Sequence, residues 1–149
     1  MEDIFDTQDN QSVLDRLAKL TPEMHPLWGK MTVSQMLVHC QKPIDVLTGK
    51  LQLKGGLLGF LFGKMAKNNF LKMRGFGKSS PTHPKFKIKD EPDFVTEKNV
   101  LITMVETLGK LGPESIGIDK HPFFGPMTNQ EWGSLMYLHL DHHLKQFGV

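Results

Sequence analysis

The chain has 149 residues, of which 39% are hydrophobic and 23% charged, as is ordinary for one globular domain that buries its own core. Its single cysteine, Cys40, excludes an intramolecular disulfide framework and a cysteine-rich zinc module, so any transition-metal site would have to use the seven histidines. The net charge of +2 conceals a split. Residues 46–89, the basic segment, contain ten Lys or Arg and no Asp or Glu, whereas the other 105 residues carry 8 basic and 16 acidic groups. We expect one domain over residues 1–149.

Two helices are predicted before the basic segment. The chain starts with the acidic run Met1–Asp6, which lacks the basic region of a secretory signal and predicts a soluble, cytoplasmic protein. Apolar residues at helical spacing then predict a helix from Gln11 to Leu20, with Asp9 or Asn10 as its N-cap. A second apolar stripe predicts a helix from Thr32, as its N-cap, to about Thr48.

The basic segment is predicted to be a long crossover with one short helix near Leu57–Phe70. Its apolar run, Leu57–Phe62, is too short to span a bilayer and is expected to be buried against the other helices or a dimer partner. Phenylalanines are mixed with Leu and Met as in packing sequences, and no nucleic-acid-binding motif is present. We therefore expect no nucleic-acid and no membrane partner, and we interpret the segment as a rim that attracts an anionic substrate.

Two further helices are predicted after the basic segment. The first runs from Thr96 to Leu111 and is ended by Gly112 and Pro113. The last begins at Thr128 with a capping box and continues to Phe147 near the terminus. Strand-like alternation is weak throughout. The pattern predicts an all-α fold, an antiparallel four-helix bundle with a long basic crossover segment.

Histidines in the second and last helices form a candidate metal site. His139 and His143 are four residues apart, which places them about 40° apart on one helix face. His142 lies about 100° from His143 and is expected to face a flank or solvent. His39 lies at the edge of the apolar stripe of the second helix and is the natural third ligand, because bundles build metal sites from facing helices. On spacing alone, a metal triad and ordinary packing histidines remain equally open.

Four other residues are candidates for roles near this triad. Gln146 and Trp132 share the helix face of His139, so each is a candidate for contact with a substrate. His121, in the loop before the last helix, is a candidate acid/base group, although a rigid turn is the simpler interpretation. Cys40 is expected to be a buried, inert thiol.

Two segments of the chain resemble the DinB/YfiT-like superfamily of metalloenzymes. They are Leu27-Trp28-Gly29-Lys30-Met31-Thr32-Val33-Ser34-Gln35-Met36-Leu37-Val38-His39-Cys40 and the terminal Trp132…His139-Leu140-Asp141-His142-His143-Leu144-Lys145-Gln146-Phe147. The resemblance extends from about Leu14 to Phe147 and is closest to a branch described only as a domain of unknown function. It implies a four-helix bundle, often dimeric, with three histidines holding zinc, nickel or another divalent ion such as iron or manganese. Carried over to this sequence, those ligands are His39, His139 and His143.

The function remains open among three alternatives. Relatives in the superfamily include thiol-dependent transferases and isomerases and some hydrolases, which implies a metal-dependent enzyme of hydrolase or low-molecular-weight-thiol transferase type. Its substrate would be a small molecule, anionic or a thiol. The second alternative is a non-catalytic bundle protein that binds a metal or a ligand. The third is a structural homodimer in which the histidines are packing residues.

Overall fold

The computed structural model describes residues 1–54, 57–73, 75, 77, 78, 80 and 82–149. Within these residues the chain forms no strand and five α-helices, which are α1 (Thr7–Ala18), α2 (Val33–Leu47), α3 (Leu57–Met73), α4 (Phe94–Leu111) and α5 (Asn129–Gln146). Short 3-10 turns lie at Pro84–Phe86 and Gly112–Ser115. No helix of the described part is both long and apolar enough to cross a membrane.

The start of α1 lies four residues before the predicted one, because Asp6 rather than Asp9 or Asn10 is its N-cap. The helix begins after Asp6, whose carboxylate accepts hydrogen bonds from the backbone N–H groups of Gln8 and Asp9. The predicted N-caps, Asp9 and Asn10, are therefore wrong. Asn10 is buried instead, and its side-chain amide donates to one carbonyl in the N-terminal segment and one in α4.

The two helices that carry the candidate ligands both begin with a complete capping box. In α2 the Thr32 hydroxyl accepts from the backbone N–H of Gln35, while the Gln35 side chain accepts from the backbone N–H of Thr32. Thr128 and Glu131 make the same pair of bonds at the start of α5, as predicted. Each box satisfies two backbone donors that a helix start leaves unpaired. The first turn of each of these helices is therefore fixed by local sequence.

Four of the helices form a ring of contacts around the core. α1 packs against α4 and α5, and α2 packs against the same two helices. The most deeply buried of their side chains are at most 1% exposed and include Leu17, Leu37, Leu101, Val105, Trp132 and Leu144. The all-helical prediction is confirmed. The remaining helix, α3, lies in the basic segment, close to where one short helix was predicted. The predicted burial of the run Leu57–Phe62 concerns side chains that lie outside the described residues.

Contacts at the start of α5 hold α3 in place. The Lys67 ammonium lies 2.9 Å from a carboxylate oxygen of Glu131 and donates to the Pro126 carbonyl at 2.9 Å. Gly63 lies so close to the backbone of Phe123 that a Cβ would not fit there. The middle of the basic segment is therefore packed on the loop that leads into α5.

Candidate metal site and cavity

Three histidines from two helices meet between α2 and α5. His39 is 4% exposed, and His139 and His143 are 9% and 7% exposed. One ring nitrogen from each lies within 4.8 Å of the other two, and the Nε2 atoms of His39 and His139 are 3.2 Å apart. In the described part of the chain this is the one group of His, Cys, Asp or Glu side chains with the spacing of a metal site. The structure thus brings together the three residues that the sequence predicted as one ligand set.

Two of these nitrogens have the spacing of two ligands on one ion, and the third lies within 4.8 Å of both. A Zn–N bond is about 2.0–2.1 Å long, so two ligands at the tetrahedral angle hold their nitrogens about 3.3–3.4 Å apart. The distance between His39 Nε2 and His139 Nε2 is 3.2 Å, close to that value. Three protein ligands also leave a coordination position for a water or a substrate, as catalytic sites do. The donor set is therefore suitable for a divalent transition metal.

Burial keeps the three imidazoles in the form that a metal requires. Desolvation lowers the pKa of all three rings and is the largest cause in each case. The pKa of His39 is lowered, that of His139 lies well below its ordinary value, and that of His143 is lowered to about 3. Repulsion between neighbouring imidazolium charges adds to this lowering of each pKa. A neutral ring keeps a lone pair for a cation, so the cluster can coordinate a metal at neutral pH.

Hydrogen bonds behind the rings fix two of the tautomers. His39 Nδ1 lies 2.9 Å from the Phe86 carbonyl oxygen, and because a carbonyl only accepts, Nδ1 carries the proton. Gln146 donates through Nε2 to the Trp28 carbonyl at 2.6 Å, which orients its amide so that Oε1 accepts from His143 Nδ1 at 2.8 Å. In both histidines the lone pair therefore remains on Nε2. Such partners hold a ligand ring in its binding orientation.

Gly29 supports this arrangement from the loop before α2. Its φ of +85° lies in the left-handed region, which strongly favours glycine. A Cβ built at this position would lie 2.7 Å from Gln146 Nε2, the atom that donates to the Trp28 carbonyl. Any other residue at position 29 would therefore disturb Gln146, and with it the partner of His143.

The three histidines line a cavity of about 1000 Å³. One part of its wall is aromatic and includes Trp28, Phe86, Phe123 and Phe124. The charged residues on the wall are all basic, namely Lys30, Lys54 and Lys87, and no Asp or Glu is among the described residues that line it. Lys54, Phe86 and Lys87 belong to the basic segment, which therefore contributes both charge and apolar surface to the cavity.

Three more histidines line the same cavity, so that it contains six of the seven in the chain. They are His83, His121 and His142, while His25 is exposed and lies elsewhere. His142 is only partly exposed, and its ring lies edge-on to Trp28 at 5.7 Å and to His143 at 4.9 Å. The expectation that His142 faces a flank or solvent did not include its place on the cavity wall. Sequence reasoning missed this grouping because no common spacing links these positions.

His121 is held in the opposite way to the ligand histidines. Its Nδ1 accepts hydrogen bonds from the backbone N–H groups of Phe123 and Phe124, at 3.1 and 3.0 Å. Burial lowers its pKa to about 4, so the neutral ring carries its proton on Nε2. Backbone hydrogen bonds in both directions between His121 and Gly125 close the loop. The structure thus contains the rigid turn that was the simpler interpretation of this segment.

The other candidate residues occupy different places. Trp132 is 1% exposed in the core and does not line the cavity; its ring packs 5.2 Å from that of His121, so it supports this residue from behind. Cys40 is buried as predicted, which raises the pKa of its thiol, and its Sγ lies 3.6 Å from Met36 Sδ. Gln146 lines the cavity and also orients His143.

Comparison with known proteins gives a family without an assigned function. A family model described as "Protein of unknown function (DUF1569)" matches residues 4–148. No curated protein and no solved structure matches the chain significantly. The matched range includes all three candidate ligands and the residues that orient them.

Proposed function

The chain belongs to the DUF1569 family, and we propose that it is a metal-dependent enzyme whose divalent ion is held by His39, His139 and His143. One observation carries this proposal. Three buried imidazoles from two helices converge, with nitrogens within 4.8 Å of one another, on the wall of a large cavity. Packing histidines can pair through a hydrogen bond, as the Nε2 atoms of His39 and His139 do at 3.2 Å, but such a pair does not require a third buried ring that points to the same place.

The proposal includes the architecture and assembly that the sequence resemblance implies. The ring of α1, α2, α4 and α5 is taken as a four-helix bundle of the DinB/YfiT type, and the protein as a homodimer. Support for the bundle comes from the pairwise contacts of these four helices and from the position of the triad on two that pack together.

Each residue of the site has a part in the proposed chemistry. When bound, a divalent ion, with zinc or nickel the first choices and iron or manganese the alternatives, lowers the pKa of a coordinated water or thiol toward neutrality. The three histidines hold the ion, while the Phe86 carbonyl and Gln146 orient two of their rings. The lysines at the cavity attract a small anionic or thiol substrate. The proposed reaction is a hydrolysis or a transfer to a low-molecular-weight thiol.

A second candidate function is non-catalytic binding of a metal or ligand. The cavity wall offers no Asp or Glu among its described residues to act as a general base. His121 cannot replace one, because its Nδ1 lone pair is already used by two backbone N–H groups. The absence of a carboxylate base among these residues favours binding without catalysis over the enzyme.

Metal analysis of untagged protein tests the proposal. After loading with zinc or nickel and removal of the excess, the wild type should retain about one ion per chain. His139→Ala should retain none, whereas His25→Ala, which alters an exposed histidine outside the cavity, should behave as the wild type. A wild type that retains no ion would overturn the metal site. Retention of the ion without turnover of a panel of ester and thiol substrates would favour the binding protein.

A further inference from the structure

We propose that the cavity binds an organic anion with an apolar body, and that the Nε2–H group of His121 donates a hydrogen bond to an oxygen of that anion. The inference rests on the proposed function only in taking this ligand to be the substrate of the metal site. It adds the chemical class of the ligand and a residue that selects it.

The charge of the cavity favours an anion. Lys30, Lys54 and Lys87 line it, and no carboxylate balances them among the described lining residues. A cleft with one sign of charge and apolar walls concentrates the electrostatic potential, which attracts ligands of the opposite sign. Away from the three histidines, the charged side chains of the wall would repel an organic cation, and a metal ion held by the histidines would strengthen the preference for an anion.

The size and the wall of the cavity require a ligand with an apolar body. A volume of about 1000 Å³ is far larger than an inorganic ion needs and lies at the upper end of pockets for small organic molecules. Trp28, Phe86, Phe123 and Phe124 offer aromatic surface to it, and Phe123 is 41% exposed. Covering such surface by an aromatic or acyl group removes it from water, which stabilises the complex.

His121 provides a hydrogen-bond donor of fixed direction. Its Nδ1 is occupied by the N–H groups of Phe123 and Phe124, so its one ring proton is on Nε2. The ring is stacked on Phe124 at 4.6 Å and packed against Trp132 at 5.2 Å, which prevents it from turning over. A donor that is already immobilised loses little conformational entropy on binding. It selects ligands that present an acceptor, such as a carboxylate oxygen.

Two amide substitutions separate this role from the structural role of His121 in its turn. Asparagine places an acceptor close to the position of Nδ1, so His121→Asn keeps the turn but removes the donor. Glutamine places an N–H close to the position of Nε2, so His121→Gln keeps a donor and loses the acceptor of the turn. If His121 were only structural, the asparagine variant would bind ligand as the wild type does.

Binding of 4-phenylbutyrate and its neutral amide to the full chain, with and without zinc, tests the inference. We expect the wild type to bind the carboxylate at least about tenfold more tightly than the amide, and His121→Asn to weaken carboxylate binding about tenfold or more. His121→Gln should recover part of this loss. Equal binding of acid and amide, no binding of the acid, or a His121→Asn variant that binds as the wild type would each overturn the inference.

Two further measurements keep the inference falsifiable and distinct from the metal proposal. Nitrogen NMR of the wild type should find the His121 proton on Nε2 at neutral pH, and a proton on Nδ1 would overturn the inference even if no variant folds. Carboxylate preference in a protein that retains no metal would support this inference and remove the proposed function. Metal retention without carboxylate preference would support the metal site of the proposed function and overturn this inference.

Discussion

Two groups of histidines in one cavity are neutral for the same reason and yet present opposite chemistry. His39 and His143 donate from Nδ1 to an oxygen, so each keeps a lone pair on Nε2. His121 accepts two backbone N–H groups at Nδ1, so it carries its proton on Nε2. Burial lowers the pKa in both groups, but the partner of Nδ1 decides whether the ring can bind a cation or donate to an anion.

Acid should destabilise the metal-free protein through both groups, and this is the largest effect we expect. The folded-state pKa is about 4 for His121 and about 3 for His143, below the ordinary value of 6.5, so the unfolded chain binds more protons below pH 6.5. Each group then reduces the free energy of unfolding by about 1.4 kcal/mol per pH unit, or on the order of 4 kcal/mol together between about pH 6.5 and 4.5.

Urea unfolding at several pH values measures this loss of stability and separates the two groups. The contribution of these histidines to the free energy of unfolding should be constant above about pH 7.5 and should fall steadily below about pH 6.5. His121→Asn should remove about 2 kcal/mol of this fall, because it removes one titrating ring, while His39, His139 and His143 still contribute to the rest. A free energy of unfolding that stays level between these pH values would contradict the neutral, buried state of both groups.

Gln146→Leu should weaken metal binding without removing a ligand. Leucine cannot accept from His143 Nδ1, so the ring loses the partner that fixes its orientation, and the metal affinity should fall about 10–100-fold. Gln146→Glu keeps an acceptor and is the matched control. Competition with a chelating dye measures the affinities. Equal affinities for the leucine variant and the wild type would show that another contact orients His143.

Thr128→Ala should have the smallest effect and one confined to stability. Removing the hydroxyl breaks the capping box of α5 and should lower the free energy of unfolding by about 1 kcal/mol. Metal affinity should hardly change, since the turns of α5 that carry His139 and His143 are buried against the core. Denaturant unfolding and dye competition check the two expectations, and a parallel loss of metal affinity would indicate that the site depends on the start of the helix.

The parts of the fold that could be predicted are those encoded by local sequence. Apolar spacing and caps predicted the helices, including the box at Thr128, because those signals act within a few residues. The start of α1 was misplaced because Asp6, Asp9 and Asn10 are all residue types that cap helices, and what excludes Asn10 is its hydrogen bond to Val105 in α4, 95 residues away. A competing long-range hydrogen bond leaves no mark in the local pattern.

The residues of the candidate site also divide into those that local sequence patterns indicate and those that they do not. Helical spacing placed His139 and His143 on one face, the edge of the apolar stripe of the second helix indicated His39, and the family resemblance implied the same three residues. The carbonyls of Phe86 and Trp28 come from segments without a regular period, and any residue type supplies a carbonyl. Sequence patterns could not indicate them, nor the Nδ1 contacts of His121, because these depend on the path of the backbone.

Gly29 shows that the three ligands alone do not determine whether the metal site is correctly arranged. A side chain at this position would collide with Gln146, so a chain with all three histidines intact could still hold His143 poorly. Surveys of family members that count only ligand residues would class such a chain as metal-binding. Position 29 is therefore a second criterion for sorting those members, one that tests whether the ligand at position 143 is preorganised as well as present.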